Sequence, residues 1–492
     1  MENISKFTAD RLAKLRQMRE KGIDPYGGAF PKSYDAGPLV DSYSEDQEGE
    51  SVAVAGRLMA VRSHGKSTFA DLHDWTGKVQ VHFSQKRVGD ELYEVVGLLD
   101  LGDIVGVEGK VGKTRTGEVT VFAESLTVLS KAVHPLPEKY HGLRDIELRS
   151  RHRSLDLIAN RESMEQALQR SEIIAGLRGF LSEQGFIEVE TPMMQAIPGG
   201  AAARPFITHH NALDIDLYLR ISPELYLKRL LCGGMERVFE INRNFRNEGV
   251  SNKHNPEFTM LEVYEAYGDY ESMMRLVEEM VATVARDVMG RLEFTFGEHE
   301  IDLTPPWPRR RFSDILEEYA DVELFDGADL RRRATELGVD DADEQHHLAL
   351  IDEVFKRTVE LEIIHPTFIT HQPAELAPLC RRSPEDPRLS ERFEVLVAGF
   401  ELANAYTELN DPAVQREEFV RQLERRDEGT VGRLDEEFLL AMEHGMPPAG
   451  GLGLGVDRLL MILLEKTSLR DVILFPLMRP DNSDVESAAS SG

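Results

Sequence analysis

The sequence predicts an α+β protein: an N-terminal five-stranded β-barrel, then a larger domain whose antiparallel sheet is flanked by helices. Three observations predict it. Residues 51–130 fall into five short apolar-alternating runs separated by Gly-containing turns. Residues Phe239 to Tyr267 (FEINRNFRNEGVSNKHNPEFTMLEVYEAY) are two such runs joined by a long polar loop, the pattern of a hairpin with a functional connection. Near the C-terminus, GGLGLGVDRLLMILLE is a glycine-spaced strand running into an apolar helix.

Taken in order, residues 4–21 carry Leu12, Leu15 and Met18 at helical spacing, with a basic face of Arg11, Lys14, Arg16, Arg19 and Lys21. That face suits either plain solvation or contact with phosphates. The five runs are SVAVAGRLMAVR, STFADLHD, KVQVHF, DIVGVEGKVGK and EVTVFAESLTVL, with a helical piece near 90–99. They suit a barrel of the OB type, whose open face binds oligonucleotides by ring stacking and base-edge contacts. Arg62, Phe69, Gln80 and Glu124 lie on strands that could form that face. Residues 131–150 hold two prolines and end the first domain at about 145.

A long helical stretch covers 151–184. FIEVETPMM is a strand stopped by Pro192, GGAAARPF a loop, and LDIDLYLRI a strand. Ser222, Pro223 and Glu224 open a helix, with Ser as the expected N-cap. Residues 270–290 are helical, and 300–390 look like an insertion of helices and Pro-rich loops. ERFEVLVAGFELANAYTELND is a pair of strands turning at Ala398-Gly399; helices follow at about 413–426 and 434–445. The polar tail 481–492 is expected to be disordered.

Composition narrows the class. Of 492 residues, 41% are hydrophobic and 29% charged, as in an ordinary globular protein. No apolar run nears the ~20 residues of a membrane helix. The N-terminus lacks a signal-peptide core, so a cytoplasmic protein without membrane association is expected. Cys232 and Cys380 are far apart, as free thiols would be. The net charge of −30 disfavours polyanion binding as a global sum, but a local basic face escapes that sum.

The chemistry concentrates on a few residues. Strand side chains alternate, so Phe258, Met260, Glu262 and Tyr264 share one face, and Arg246 with Glu248 share one where the first strand ends. Gly451, Gly453 and Gly455 permit close approach of a ligand, and Arg458 follows at a helix start, where phosphate is favoured. Arg246 and Arg458 could grip a triphosphate, Phe258 could stack on a base with Arg458 opposite, and His254 could meet outer phosphates. Glu394 and Glu401, on either side of the turn, are expected at matching positions of paired strands, a hard oxygen site for Mg²⁺. Glu224, Glu262 and Glu408, with Tyr264, Asn404 and Tyr406, would surround a small pocket. Buried carboxylates need a cation. No Lys or Arg is evident nearby in the sequence, so a cationic substrate is expected.

These residues resemble a known family. FRNEGVSNKHNPEFTMLEVYEAY is similar to motif 2 of the class II aminoacyl-tRNA synthetases, GLGLGVDRLLMILL to motif 3, and GFIEVETPMM to motif 1, which builds the family's dimer interface. IPGGAAARPF, PELYLKRLL, ELANAYTELNDP and RDVILFPLMRP resemble the bacterial type of class II lysyl-tRNA synthetase, and the likeness runs nearly the whole chain. It implies a basic helix and anticodon-binding OB domain over 1–145, a class II catalytic domain over 146–480, a homodimer, and ATP-dependent joining of lysine to tRNA(Lys) through a lysyl-adenylate. By matching position, ATP would meet Arg246, Glu248, His254, Asn255, Phe258, Glu394, Gly455 and Arg458. Lysine would meet Glu224, Arg246, Glu262, Tyr264, Asn404, Tyr406 and Glu408. Mg²⁺ would be held by Glu394 and Glu401, with Glu408 as a further ligand. Arg246 and Arg458 would be catalytic, and Arg62, Phe69, Gln80 and Glu124 would contact the anticodon. Ala403 and Ala405 depart from the glycines frequent at these positions in bacterial relatives. The rivals are an aspartyl or asparaginyl sister enzyme, a lysine ligase acting on elongation factor P, and a non-catalytic RNA-binding paralogue. An acidic or amide substrate fits poorly with three glutamates, the elongation-factor ligase lacks an OB domain, and a retired enzyme would have lost ATP or metal residues.

Overall fold

The computed structural model describes residues 6–136, 145–201, 203–425 and 433–479. The expected disordered tail lies outside them. The chain packs as two compact units dividing between Met164 and Glu165.

In the first unit, β1 (Ser51–His64), β2 (Ser67–His73), β3 (Lys78–Ser84), β4 (Ile104–Lys113) and β5 (Val119–Ser130) close a barrel in the order β1-β2-β3-β5-β4. Only β3 and β5 pair in parallel. The strict two-residue period puts Val79, Val81 and Phe83 of β3 inside and Gln80 and His82 outside. The helix Lys6–Glu20 buries Leu15 and Met18 as its spacing predicts. Its basic face is partly spent on structure. Arg11 is buried and donates to the carbonyls of Ala132 and His134, while Lys14 pairs with Asp100 and Lys21 with Glu94, both at 2.6 Å. Arg16 and Arg19 stay exposed.

The stretch 151–184 is not one helix but the end of Ile146–Arg151, then Arg153–Ala159 and Arg161–Glu183. The second unit begins within the last of these. Its strands are β6 (Ile187–Glu188), β7 (Met194–Gln195), β8 (Ile207–His210), β9 (Ile215–Leu219), β10 (Arg237–Phe245), β11 (Glu257–Ala266), β12 (Glu293–Phe296), β13 (His299–Asp302), β14 (Arg309–Arg311), β15 (Thr367–Thr370), β16 (Arg392–Val397), β17 (Phe400–Thr407) and β18 (Ala449–Gly455). Eight of them form one sheet, β14-β15-β16-β17-β18-β11-β10-β6, antiparallel except at its two ends. The region 300–390 is therefore more than an insertion. It supplies β14 and β15, and its helices Phe312–Ala320, Gly327–Glu336 and His347–Thr358 share an apolar cluster with Ile369 and Leu396 of the sheet.

One face of the sheet is core. Phe239, Leu261, Val263, Leu452 and Leu454 pack against Met273, Val277, Met280, Val281 and Val284 of the helix Tyr270–Met289. Each such burial contributes about 1.5–3 kcal/mol. That helix starts where the Asp269 carboxylate accepts from the amide of Ser272, and it ends on Gly290, whose φ of 72° favours glycine. The other face, offset by one residue, is free to carry chemistry.

Candidate active site

On that second face the residues converge as their parity requires. Glu224, Arg246, Glu262, Tyr264, Glu394, Glu401, Asn404 and Tyr406 line one cavity of about 880 Å³. Its floor is β11, β18 and β17. Met260, Glu262 and Tyr264 of β11 lie opposite Gly455, Gly453 and Gly451 of β18, and Asn404 and Tyr406 of β17 lie opposite Gly453 and Gly451 from the other side. A Cβ on Gly451 would come within 1.9 Å of the Glu408 carboxylate, so a side chain there has no room. The loop before β8 closes one wall: a Cβ on Gly200 would lie 2.8 Å from Glu224 Cβ.

At one end of the cavity stand three carboxylates, and here an expectation is corrected. A cation is present: Lys228, fully buried, lies 2.7 Å from Glu224 and in direct contact with Glu408. It stands one helical turn after Glu224 on the helix Glu224–Cys232, and its ammonium sits 5.4 Å from the centre of the Tyr406 ring. Burial pulls its pKa down, but the charges of Glu224 and Glu408 win, and it is raised. Glu408 is thus clamped to Lys228 on the far side of Gly451 and does not line the cavity with Glu394 and Glu401. Tyr406 donates its hydroxyl to Glu224. Ser222 is not the N-cap; Pro223 is, and Ser222 Oγ accepts from the Glu224 amide at 3.1 Å while donating to Glu262 at 2.9 Å. Tyr264 also donates to Glu262, at 3.2 Å. Among the described residues, no cation is in contact with Glu262. Burial first, then the charge of Glu224, push its pKa up to about 8.

Arg246 follows the end of β10. Its guanidinium lies 5.1 Å from the centre of the Phe258 ring, and among the described residues it makes no ion pair and its buried Nε has no hydrogen-bond partner. Burial lowers its pKa, opposed by Glu401, Glu248 and Glu262. Arg458 approaches the Phe400 ring at 6.0 Å, donates to the Glu401 carbonyl, and stands 3.7 Å from the Glu401 carboxylate. His254 is hydrogen-bonded to Ser251 at 3.0 Å; desolvation and then Arg458 hold its pKa low. Asn255 donates to the Glu257 carbonyl at 2.6 Å, and Glu248 is exposed on the connecting loop.

Glu394 and Glu401 both reach the cavity, but not from paired positions. Ala398 and Gly399 make a tight turn with φ of 53° and 71°, yet a bulge between Val395 and Leu396 shifts the register. Glu394 pairs with Asn404 and Glu401 with Leu396. Burial raises the Glu394 pKa to about 7; Arg392, 2.7 Å away, opposes the shift and Glu401 adds to it. Sequence reasoning also missed Asp457. It pairs with Arg170 at 2.8 Å and accepts from the Thr259 amide at 2.7 Å, pinning the helix that carries Arg458 to the start of β11.

The barrel's outer face carries a row of rings. Arg62, Phe69, His82 and Phe122 are neighbours in register across β1, β2, β3 and β5. Phe69 stacks on His82 at 4.4 Å, His82 meets Phe122 edge-on, and Arg87 lies 5.2 Å from the Phe122 ring. Arg62 forms a two-pronged bond to Asp71. Gln80 is held at both ends, by Glu118 and Thr120, and Glu124 is exposed nearby on β5. His82 and Phe122 were legible in the alternation of KVQVHF and EVTVFAE.

A closed barrel of this type, followed along the chain by an antiparallel sheet with this site, defines a class, and comparison with known proteins agrees. The family model of class II tRNA synthetases (D, K and N) matches residues 145–479, and that of the OB-fold nucleic acid binding domain matches 52–129. The chain is 51% identical over 486 residues to a lysine–tRNA ligase of Pelotomaculum thermopropionicum, covering 97% of this chain and 96% of that one. It is 52% identical over 485 residues to the lysine–tRNA ligase of Moorella thermoacetica (98% and 99%) and 48% identical over 480 residues to that of Bacillus subtilis (95% and 96%). The chain is a class II tRNA synthetase. Within that class it belongs to the lysine–tRNA ligase family.

Proposed function

We propose that the chain joins L-lysine to tRNA(Lys) in the cytoplasm, by way of a lysyl-adenylate formed from lysine and ATP. One observation carries the reading: among the described residues, a buried carboxylate without a cation in contact, Glu262, shares a cavity with a half-buried arginine that makes no ion pair, Arg246. An amino acid with a second ammonium group satisfies both. Glu262 and Tyr264 take the ε-ammonium, Glu224 the α-ammonium, and Asn404 and Tyr406 the walls. Arg246 takes the substrate carboxylate and the α-phosphate, with Phe258 beneath the adenine. Glu248, His254, Asn255, Gly455 and Arg458 serve the rest of ATP.

The lysine carboxylate attacks the α-phosphorus and pyrophosphate leaves. The 3′-terminal ribose hydroxyl of tRNA then attacks the adenylate carbonyl, the acyl–phosphate bond breaks, and AMP leaves as the lysyl ester and a proton are released. No side chain is placed as a general base. Rate enhancement comes from alignment of the reactants and from fixed positive charge at the phosphate.

Glu394 and Glu401 fit Mg²⁺. Their mutual repulsion asks for a cation, and this ion takes one or two carboxylates together with substrate phosphates. Glu408 is left out of the set because Lys228 holds it. Among the described residues no group of three or more metal-ligating side chains occurs. Bound there, the ion would neutralise phosphate charge. The barrel's aromatic row is the anticodon surface, with Arg62, Phe69, Gln80 and Glu124 among its contacts. Ile187, Met194, Ile207 and Ile215 expose an apolar surface that suits a homodimer interface. No helix among the described residues is long and apolar enough to cross a membrane.

The deciding measurement is ATP–pyrophosphate exchange with each standard amino acid in turn. Lysine alone should support it. Exchange driven by aspartate or asparagine, or by none, defeats the reading.

A further inference from the structure

Lys228 is buried between Glu224 and Glu408, and neither the sequence reading nor the family likeness assigned it a role. A buried ammonium is costly unless paired and hydrogen-bonded. A well-packed Met of similar length would join the helix Glu224–Cys232 to the end of β17 without that cost. Charge, rather than shape, distinguishes the residue. At this end of the cavity the charged groups are Glu224, Glu262, Glu408, Lys228 and Arg246; Arg220 is matched to Glu240 at 2.6 Å and Arg392 to Glu394 at 2.7 Å. With the three carboxylates ionised, as a bound cation makes them, three negative charges stand against two positive ones, leaving a single negative charge. Lysine carries two ammonium groups and one carboxylate, a single positive charge.

We propose that Lys228 is a specificity-determining residue: by occupying Glu408 and one side of Glu224, it sets the pocket, once its carboxylates are ionised against a bound cation, at one net negative charge, which matches an amino acid bearing two ammonium groups and rejects the corresponding diamine. The inference rests on the reading of this pocket as the lysine site. Without Lys228 the pocket is doubly negative and matches a dication. The pocket would then favour cadaverine, which is lysine without its carboxylate, over lysine itself. Lys228 acts through its neighbours and touches no reacting atom.

The experiment uses the full chain and pyrophosphate exchange. The KM values for lysine and ATP and the inhibition constant of cadaverine are measured for Lys228→Met, Lys228→Arg and the double variant Lys228→Met with Glu408→Gln. Lys228→Met should raise the lysine KM at least about tenfold, leave the ATP KM within about twofold, and shift the cadaverine-to-lysine affinity ratio about tenfold toward cadaverine. Lys228→Arg keeps the charge and should hold the ratio near wild type. The double variant restores one net negative charge and removes the Glu408 charge that Lys228 held, leaving Glu224 bonded to Tyr406, so it should fold, and its ratio should return to wild type. An unmoved ratio in Lys228→Met overturns the proposal, as does an equal shift in Lys228→Arg. If the single variants do not fold, the double variant decides: a wild-type ratio supports the proposal and a displaced one overturns it. Glu262→Gln separates the two levels. An unchanged lysine KM there defeats the pocket reading itself, whereas a raised KM beside an unmoved ratio defeats only the role of Lys228.

Discussion

Replacing Glu262 with Gln should stabilise the enzyme while destroying its grip on lysine. The carboxylate is buried, and its pKa moves from 4.5 to about 8 on folding. The folded state therefore binds its proton more tightly than the unfolded chain does. Below pH 4.5 both states are protonated, and the acid costs nothing relative to an amide. Between pH 4.5 and 8 the unfolded chain gives up its proton first, so stability falls by up to about 1.4 kcal/mol per pH unit, then levels off above 8. Over that window the loss approaches about 5 kcal/mol as a ceiling; relaxation and water entry bring the working figure to roughly 2–5 kcal/mol. Gln keeps the shape and can still bond Ser222 and Tyr264 but cannot ionise. Thermal melts at pH 5 and pH 9 read the difference. The variant should melt with wild type at pH 5 and about 4–10 °C above it at pH 9. Lysine at about 100 times its Kd should raise the wild-type melt by ~2.7 kcal/mol worth of binding and leave the variant unmoved. Equal gaps at the two pH values would refute the reasoning, because a gain without pH dependence is not the relief of a buried charge.

Three further outcomes follow from the site. Arg246→Ala should cut lysine-dependent pyrophosphate exchange by about 10²–10³-fold, the usual loss for one fixed donor at a developing charge, and near-normal exchange would remove it from the reaction. Gly451→Ala drives a methyl group into the Glu408 carboxylate, so it should raise the lysine KM more than the ATP KM; equal changes in a stably folded variant would show the contact to be indifferent. Phe69→Ala removes the ring stacked on His82 and should raise the tRNA KM by about 5–100-fold, the worth of one stacked base, with exchange in the absence of tRNA unchanged. Loss of exchange instead would assign the ring to folding.

Much of the site was legible because strand geometry is rigid. Once FTMLEVYEAY is a strand, Met260, Glu262 and Tyr264 must share a face and Leu261 and Val263 the other, as found. What escaped were interactions that alternation does not encode. A bulge at Val395 and Leu396 broke the matched positions expected of Glu394 and Glu401, and nothing in ERFEVLVAGFELA marks it. Arg170 and Asp457 meet across 287 positions of sequence. Lys228 was within reach: ELYLK places it four residues after Glu224, the spacing of a helical ion pair. It was passed over because a lysine in a short helix is ordinarily solvated, and only tertiary packing reveals it to be buried. Ser222 does accept from the Glu224 amide at the helix start, but alternation does not show that its hydroxyl also donates to Glu262.

The glycines of β18 connect the two faces of the sheet. None of Gly451, Gly453 and Gly455 has a positive φ, so backbone freedom does not explain them. They stand opposite Tyr264, Glu262 and Met260 on one side, and Gly453 and Gly451 stand opposite Asn404 and Tyr406 on the other. The trough that holds a substrate is the volume their side chains would have filled. Between them Leu452 and Leu454 point the opposite way, into the apolar core. A slip of β18 by one residue would place leucines in the pocket and glycines in the core, losing several kcal/mol of burial. The hydrophobic face therefore fixes the register, and the register fixes where the cavity opens and which acids border it. Glu262 keeps a pKa near 8 instead of relaxing toward solvent because the strand that carries it is held from behind by Leu261 and Val263. The cost of burying that charge is met by the same packing that makes the site rigid, and this is why a cation can be recognised there before it arrives.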